Sequence, residues 1–458
     1  MATTKIIVLD DDPTGSQTVH GCLLLTRWDP RTLSKALQDA APLFFVLTNT
    51  RGMSAERASQ VTRDVSVNLR AAFGQLKALG IKINPIFVSR SDSTLRGHYP
   101  VETDVMTEEL GPFDAHFLVP AFFEGGRITR GGIHHLIVDG KPIPVHETEF
   151  ARDSVFGYRH SYLPDYVAEK TRGRIPASRV ERFLLDDPQD TIPTRLRRLR
   201  NNTCCIVDGE KQSDLDRFAA HIKDAAEDGK RFLFRSAASL LTSLAKLPPQ
   251  PVDAVHMATY VRNGCPGAVI VGSHVRKTTA QLEKLLQQHA TVAIEVNVES
   301  IERDRETLLQ EALAAISFAH DAGKTPVVFT SRTEKTFVNQ RMRLAFGERV
   351  SALLMDIVRR LPPTIGFLIS KGGITSNDVL SEALALHTSR VLGQILAGCS
   401  VTRCPEDHPR FPNLPVVIFP GNVGDDDALA TVFQRLTTHL AAPMAGVGPR
   451  IGQVSQTP

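Results

Sequence analysis

Six cysteines in 458 residues is few, and none pairs with another at Cys-x-x-Cys spacing, which removes both a disulfide scaffold and a cysteine zinc site. A reduced, cytoplasmic setting is the expectation. No stretch approaches the roughly 18 apolar residues of a membrane span, and Met1 leads into a strand rather than a basic, apolar leader, so neither a membrane nor a signal peptide is expected. Low-complexity segments and short repeats are also missing. The net charge of only +3 argues against a nucleic-acid surface. Two phosphate motifs are absent as well: the Walker pattern Gly-x4-Gly-Lys-Ser/Thr, and Gly-x-Gly-x-x-Gly in the first β-α turn of either half, which disfavours P-loop and dinucleotide enzymes.

What is present is ample apolar material, 42% of residues, enough for more than one core. At roughly 150 residues per domain the length predicts two or three domains, and two fit the pattern. Leu247-Pro248-Pro249-Gln250-Pro251 is the clearest linker, so the domains are expected at 1–247 and 252–458. Apolar runs alternate with helical periodicity in both, as in α/β domains with largely parallel sheets and a ligand cleft between them.

In the first half, strands are predicted at residues 5–9, 43–47, 83–88 and 116–119. Val61, Val65, Leu69, Phe73 and Leu76 mark the buried stripe of a helix capped by Ser54 and stopped at Gly80. Each strand opens into a polar loop. Asp10-Asp11-Asp12-Pro13-Thr14-Gly15 follows the first, Arg51 the second, Arg90, Asp92, Ser93 and Arg96 the third, and Arg127 the fourth. Parallel strands with right-handed crossovers gather these loops on one edge of the sheet, where ligands bind in open α/β folds. An acidic turn facing Arg51, Arg90, Arg96 and Arg127 suits an anionic, hydroxylated small molecule, because guanidinium groups pair with carboxylates and phosphates. Residues 133–138 alternate ahead of Asp139-Gly140, predicting a β excursion over the site. The adjacent His134 and His135 lack a metal-ligand pattern. No metal ligand is assigned, and residues 165–246 are given no chemistry.

In the second half, Gly272-Ser273-His274 ends a predicted strand at 267–271. Lys371-Gly372-Gly373-Ile374-Thr375 ends one at 365–369, with a helix starting near 377–379, and Pro420-Gly421-Asn422-Val423-Gly424 ends one at 416–419. Glycine-rich turns let backbone N–H groups approach phosphate oxygens, so the three loops together point to a nucleotide cradle. Asp425, Asp426 and Asp427 suit a helix's first turn without any catalytic role.

The string Asp11-Asp12-x-Thr14-Gly15, then Asp92-Ser93-Thr94-Leu95-Arg96-Gly97, Arg127, Gly272-Ser273, Gly372-Gly373-x-Thr375 and Pro420-Gly421-x-x-Gly424 resembles the four-carbon acid sugar kinase family over nearly the whole chain. The resemblance implies an N-terminal sugar-acid domain, a C-terminal nucleotide domain and ATP-dependent phosphorylation of a hydroxyl in the cleft between them. It also implies that Asp11 or Asp12 accepts the hydroxyl proton or orders Mg2+. Arg96, with Arg90, Arg51 and Ser93, would hold the carboxylate, with Thr14, Asp92 and Arg127 beside it. Gly272, Ser273, His274, Lys371, Gly372, Gly373, Thr375, Pro420, Gly421, Asn422 and Gly424 would hold ATP. Two positions depart from many relatives, with Ile374 in place of an acid and Phe419 in place of a lysine. A non-catalytic sugar-acid or nucleotide sensor and a carboxylate-activating ligase are the competing readings. A homodimer is the default oligomer.

Overall fold

The computed structural model describes residues 3–332, 340–421 and 423–438. Its central element is one continuous sheet of 15 strands. In spatial order these are Thr291–Val296, Thr325–Thr330, Ala268–Val271, Leu368–Lys371, Pro415–Phe419, Cys399–Arg403, Thr388–Leu396, Leu23–Leu25, Leu43–Leu47, Thr3–Asp10, Ile83–Arg90, Phe232–Ser236, Ala115–Val119, Thr203–Val207 and Glu181–Phe183. The predicted strands are present, and the first runs one residue further than expected, to Asp10. Two α/β halves with largely parallel sheets were the expectation, and both are present; their sheets are joined edge to edge by the pairing of Thr388–Leu396 with Leu23–Leu25, strands that carry no chemical motif.

All neighbours pair in parallel except across the junction. Three successive antiparallel pairings there reverse the strand direction between the halves. Adjacent strands twist by about 20–25°, and six pairings separate Thr3–Asp10 from Leu368–Lys371. Across that reversal the loops after Thr3–Asp10 and Leu368–Lys371 still approach each other, a methyl on Gly373 standing 3.6 Å from Asp12 Oδ2.

Strands buried on both faces read as continuous apolar runs, as parallel strands under helices must. Ile7, Phe44, Val46, Phe87 and Leu233 pack on one face against Val65, Leu69 and Leu76 of helix Ala55–Ala78. Ser54 caps that helix by accepting the Arg57 N–H. On the opposite face Val8, Phe45, Val88, Phe117 and Phe234 join a core that continues into the second half through Ile270, Leu368 and Ile418. The β excursion is a separate antiparallel sheet of Arg127–Arg130, Ile133–Val138 and Lys141–Pro144. It is tied to the third loop by His134, whose buried Nε2 lies 2.8 Å from the Ser93 carbonyl.

Candidate active site

The acidic turn is built from its buried end outward. Asp10 is the last residue of its strand and is fully buried, and neither of its carboxyl oxygens has a hydrogen-bond partner. Burial pushes its pKa up to about 8 against the pull of Arg90, whose Nη1 stands 3.5 Å away. The turn folds back so tightly that a methyl on Gly15 would sit 1.8 Å from the Asp10 Oδ2, so no larger residue fits there. Asp11 is 1% exposed and already saturated. Arg51 donates to both its oxygens, and the Ser91 hydroxyl donates to Oδ2 at 2.8 Å. Asp12 is different: its Oδ1 accepts from the Thr14 N–H and hydroxyl, while Oδ2 meets Arg51 Nη1 at 3.3 Å and its side chain is 22% exposed. Burial raises its pKa, but Arg51 and Thr14 more than offset this and keep the carboxylate below the usual range. Of the two acids, Asp12 is the more exposed and the one whose Oδ2 approaches the second rim.

The arginines divide in the same way. Arg96 donates to Asp92 at 2.8 and 3.3 Å, lies 3.9 Å from Asp153 and stacks on Phe150. Burial of Asp92 is overcome by Arg51 and Arg96, which hold it well below the usual carboxylate range. Arg90 is buried behind the turn between Asp10 and Asp11. Arg127 donates to the Gly125 carbonyl, and its buried Nε has no partner. Ser93 is buried beneath the excursion.

Sequence reasoning missed a residue in the segment given no chemistry. Strand Phe232–Ser236 carries Arg235, which donates to Glu102 at 2.5 Å, to the Ser89 hydroxyl at 2.6 Å and to the Ser91 hydroxyl at 2.7 Å. Ser91 in turn holds Asp11, so residues 165–246 do contribute to the site. The available signal was a single arginine inside the apolar run Phe232-Leu233-Phe234-Arg235, because a charge at a buried strand position needs a partner.

On the second rim the three glycine loops interlock. A methyl on Gly272 would stand 2.2 Å from the Thr375 hydroxyl, and one on Gly372 would stand 3.3 Å from the Ser273 Cβ. Gly372 also has φ of +119°, in the region that favours glycine. The following helix is Gly373–Asp378, starting earlier than the predicted 377–379, which puts Thr375 in its first turn. Lys371 is fully buried beneath the cradle. Its Nζ donates to the carbonyls of Pro420 at 2.5 Å and Gly421 at 3.2 Å, and it lies 4.1 Å from the centre of the Phe419 ring, its partner in strand register. Burial pulls its pKa down to about 7. His274 is exposed at the rim, Gly421 carries the carbonyl that accepts from Thr278, and Gly424 has φ of +80°. Asp425 to Asp427 are exposed and precede helix Ala428–Thr437 rather than opening its first turn. Asn422 lies outside the described residues.

The rims meet. A methyl on Gly373 would stand 3.6 Å from Asp12 Oδ2. Beside that contact the Ser16 and Ser400 hydroxyls are 3.3 Å apart, and Gln394 donates to the Gln17 carbonyl at 2.9 Å and to Glu124 at 2.7 Å. No group of three or more His, Cys, Asp or Glu able to hold a metal occurs among the described residues. Methyls on Gly272 and Gly372 would run into Thr375 and Ser273, so only glycine lets these turns pack together, and Asp12 is the acid nearest to them, across from Gly373.

Residues 6–244 match the family model described as a sugar-binding N-terminal domain, and residues 268–429 match the nucleotide-binding C-terminal domain. The chain is 23% identical over 462 residues to the D-erythronate kinase of Heliobacterium modesticaldum, covering 96% of this chain and 98% of that one. Crystal structures of a Haemophilus influenzae protein (TM-score 0.63, 16% identity, 94% of this chain and 100% of that one) and of a Salmonella typhimurium LT2 protein (TM-score 0.66, 18% identity, 96% and 100%) share the fold. With a sugar-binding half and a nucleotide-binding half matched in order along one chain, the protein belongs to the four-carbon acid sugar kinase family.

Proposed function

We propose that this chain transfers the γ-phosphate of ATP to a hydroxyl of a small sugar acid, a four-carbon acid such as a tetronate or oxo-tetronate. The observation that carries the reading is the approach of Asp12 on one rim to Gly373 on the other. Phosphoryl transfer demands chiefly in-line positioning and neutralisation of charge, with little covalent work for the protein. A carboxylate that orients the acceptor hydroxyl and takes its proton, opposite backbone amides that hold the phosphates, supplies the positioning. Asp11 keeps Arg51 in place beside Asp12. Magnesium in such enzymes is bound by one or two carboxylates together with the substrate's phosphates, and were it bound here, Asp12, the acid nearest the glycine loops, would be the candidate carboxylate.

The division of labour proposed is residues 1–247 for the acid and 252–458 for the nucleotide, supported by the two family models. A cytoplasmic setting goes with this reading, supported by six unpaired cysteines, and a homodimer is the proposed assembly. The test incubates the protein with ATP, magnesium and a panel of four-carbon aldonates and oxo-acids, D-erythronate first because the Heliobacterium relative acts on it. ADP release with formation of a hydroxylamine-stable phosphate ester is expected. A hydroxylamine-labile acyl phosphate would instead identify a ligase-type enzyme, and tight nucleotide binding without turnover a sensor.

A further inference from the structure

Resemblance places the acid's carboxylate on Arg96, Arg90 and Arg51, but each of these is already committed inside the protein. Arg51 lies within 4.0 Å of Asp11, Asp12 and Asp92, Arg96 of Asp92 and Asp153, and Arg235 of Glu102, while Arg90, whose Nε also lacks a hydrogen-bond partner, is closed off behind the turn, 4% exposed and within 4.0 Å of Asp10 and Asp11. Turning Arg51, Arg96 or Arg235 toward a ligand would strip the charge partner from a buried acid, a loss that is strongly unfavourable.

Arg127 has no such commitment. Among the described residues it makes no ion pair with a carboxylate. Its backbone is fixed on both sides, with the Arg127 N–H donating to the Phe122 carbonyl at 2.8 Å and the Phe122 N–H donating to the Arg127 carbonyl at 2.9 Å. One guanidinium nitrogen is held by the Gly125 carbonyl, and the buried Nε has nothing to donate to. Burial pulls this guanidinium's pKa downward, Arg96 adds to that pull, and Asp92 and Glu149 only partly oppose it. The side chain is therefore pre-positioned, partly stripped of water and short of a counter-charge. It sits where the third and fourth loops converge, within the electrostatic reach of Asp92 and Arg96. A neutral hydroxyl would satisfy the hydrogen bond but not the charge; a carboxylate satisfies both.

We propose that Arg127 receives the carboxylate of the substrate and is the residue by which this site selects a sugar acid over the corresponding neutral polyol, an inference that rests on the sugar-acid kinase reading of the same site.

The test compares wild type with Arg127→Gln and Arg127→Lys, using erythronate and threonate against erythritol and threitol. In a thermal-shift measurement without nucleotide, at least one acid raises the melting temperature of wild type and neither polyol does. Arg127→Gln loses that response but keeps the shift produced by ATP, which shows that the protein is folded. In turnover the KM for the acid rises on the order of ten- to hundredfold, as for loss of a charge-assisted hydrogen bond. The KM for ATP stays unchanged, and the preference for acid over polyol falls by the same factor. Arg127→Lys, which keeps the charge without the fork, is intermediate and serves alone if the Gln variant does not fold. Arg130→Gln, a change on the exposed face of the same hairpin, leaves the preference intact. The assignment is overturned if Arg127→Gln keeps the acid-over-polyol preference, or if neither acid stabilises wild type. Failure of the kinase reading alone looks different: no ADP is released, yet an acid still stabilises wild type and not Arg127→Gln.

Discussion

Asp12 and Gly373 stand on opposite rims, and the Oδ2 of the first lies 3.6 Å from where a methyl on the second would project. On the proposed reading, the acceptor hydroxyl meets the phosphate at this point. Gly373→Val is expected to leave the fold intact, since the position opens a helix and helix propensity costs well under about 1 kcal/mol there. Its branched side chain would occupy the gap, and kcat should fall by at least about tenfold. Steady-state kinetics at saturating ATP and acid check this, and an unchanged kcat would place the transfer elsewhere.

Gly15 covers the Asp10 carboxyl with no room for a methyl. Gly15→Ala must displace either the turn or the acid, so it should cost about 1–3 kcal/mol, the usual penalty of forced overpacking. Combining it with Asp10→Gly, which empties the space, should recover much of that loss. Urea denaturation of the two single variants and the double variant gives the coupling, and strictly additive effects would mean that the turn relaxes away from Asp10.

Asp10 also gives the protein a pH dependence of known sign. Its pKa is about 8 in the fold against 3.8 ordinarily, so the folded state holds the proton more tightly than the unfolded chain. Stability from this group is complete below 3.8 and is lost as pH rises through 8. Asp10→Asn mimics the protonated form and should gain on wild type steadily from pH 4 to pH 8. Denaturation midpoints at pH 5, 7 and 8.5 measure the difference, and a constant gap would show that Asp10 is ionised throughout.

Lys371 has the opposite consequence. Its pKa of about 7 in the fold lies below the ordinary 10.5, so stability is greatest above 10.5 and falls as pH drops to 7. Lys371→Met should flatten that dependence. It also removes the donors that hold the Pro420 and Gly421 carbonyls, and the KM for ATP should rise about tenfold while that for the acid stays put. Equal changes in both constants would contradict a role confined to the nucleotide loops.

Much of this was legible beforehand because the residues announce themselves locally. The Asp11-Asp12 turn, the Arg96 loop and the Gly372-Gly373 loop each follow an apolar run, and parallel strands place such loops on a common edge without further information. The junction was not legible. Strands Thr388–Leu396 and Leu23–Leu25 carry ordinary β patterning, and nothing local specifies that they pair with each other across more than 360 residues of sequence. Arg235 was hidden for a related reason, since its partners Glu102, Ser89 and Ser91 come from elements more than 130 residues earlier. The sequence also left Asp11 and Asp12 equivalent. Their different settings arise from Arg51 and Ser91 closing on Asp11, while Asp12 meets Arg51 only at 3.3 Å and keeps a side chain 22% exposed.

The most direct measurement is single-turnover transfer of radiolabelled γ-phosphate from ATP to D-erythronate, or to the best acid of the panel, by wild type, Asp12→Asn and Asp11→Asn, with nucleotide binding measured in parallel. Asp12→Asn should bind ATP normally and transfer phosphate at least about a thousandfold more slowly. Asp11→Asn should lose rate less steeply, together with the rigidity of Arg51. Transfer by Asp12→Asn at the wild-type rate would contradict the site described here.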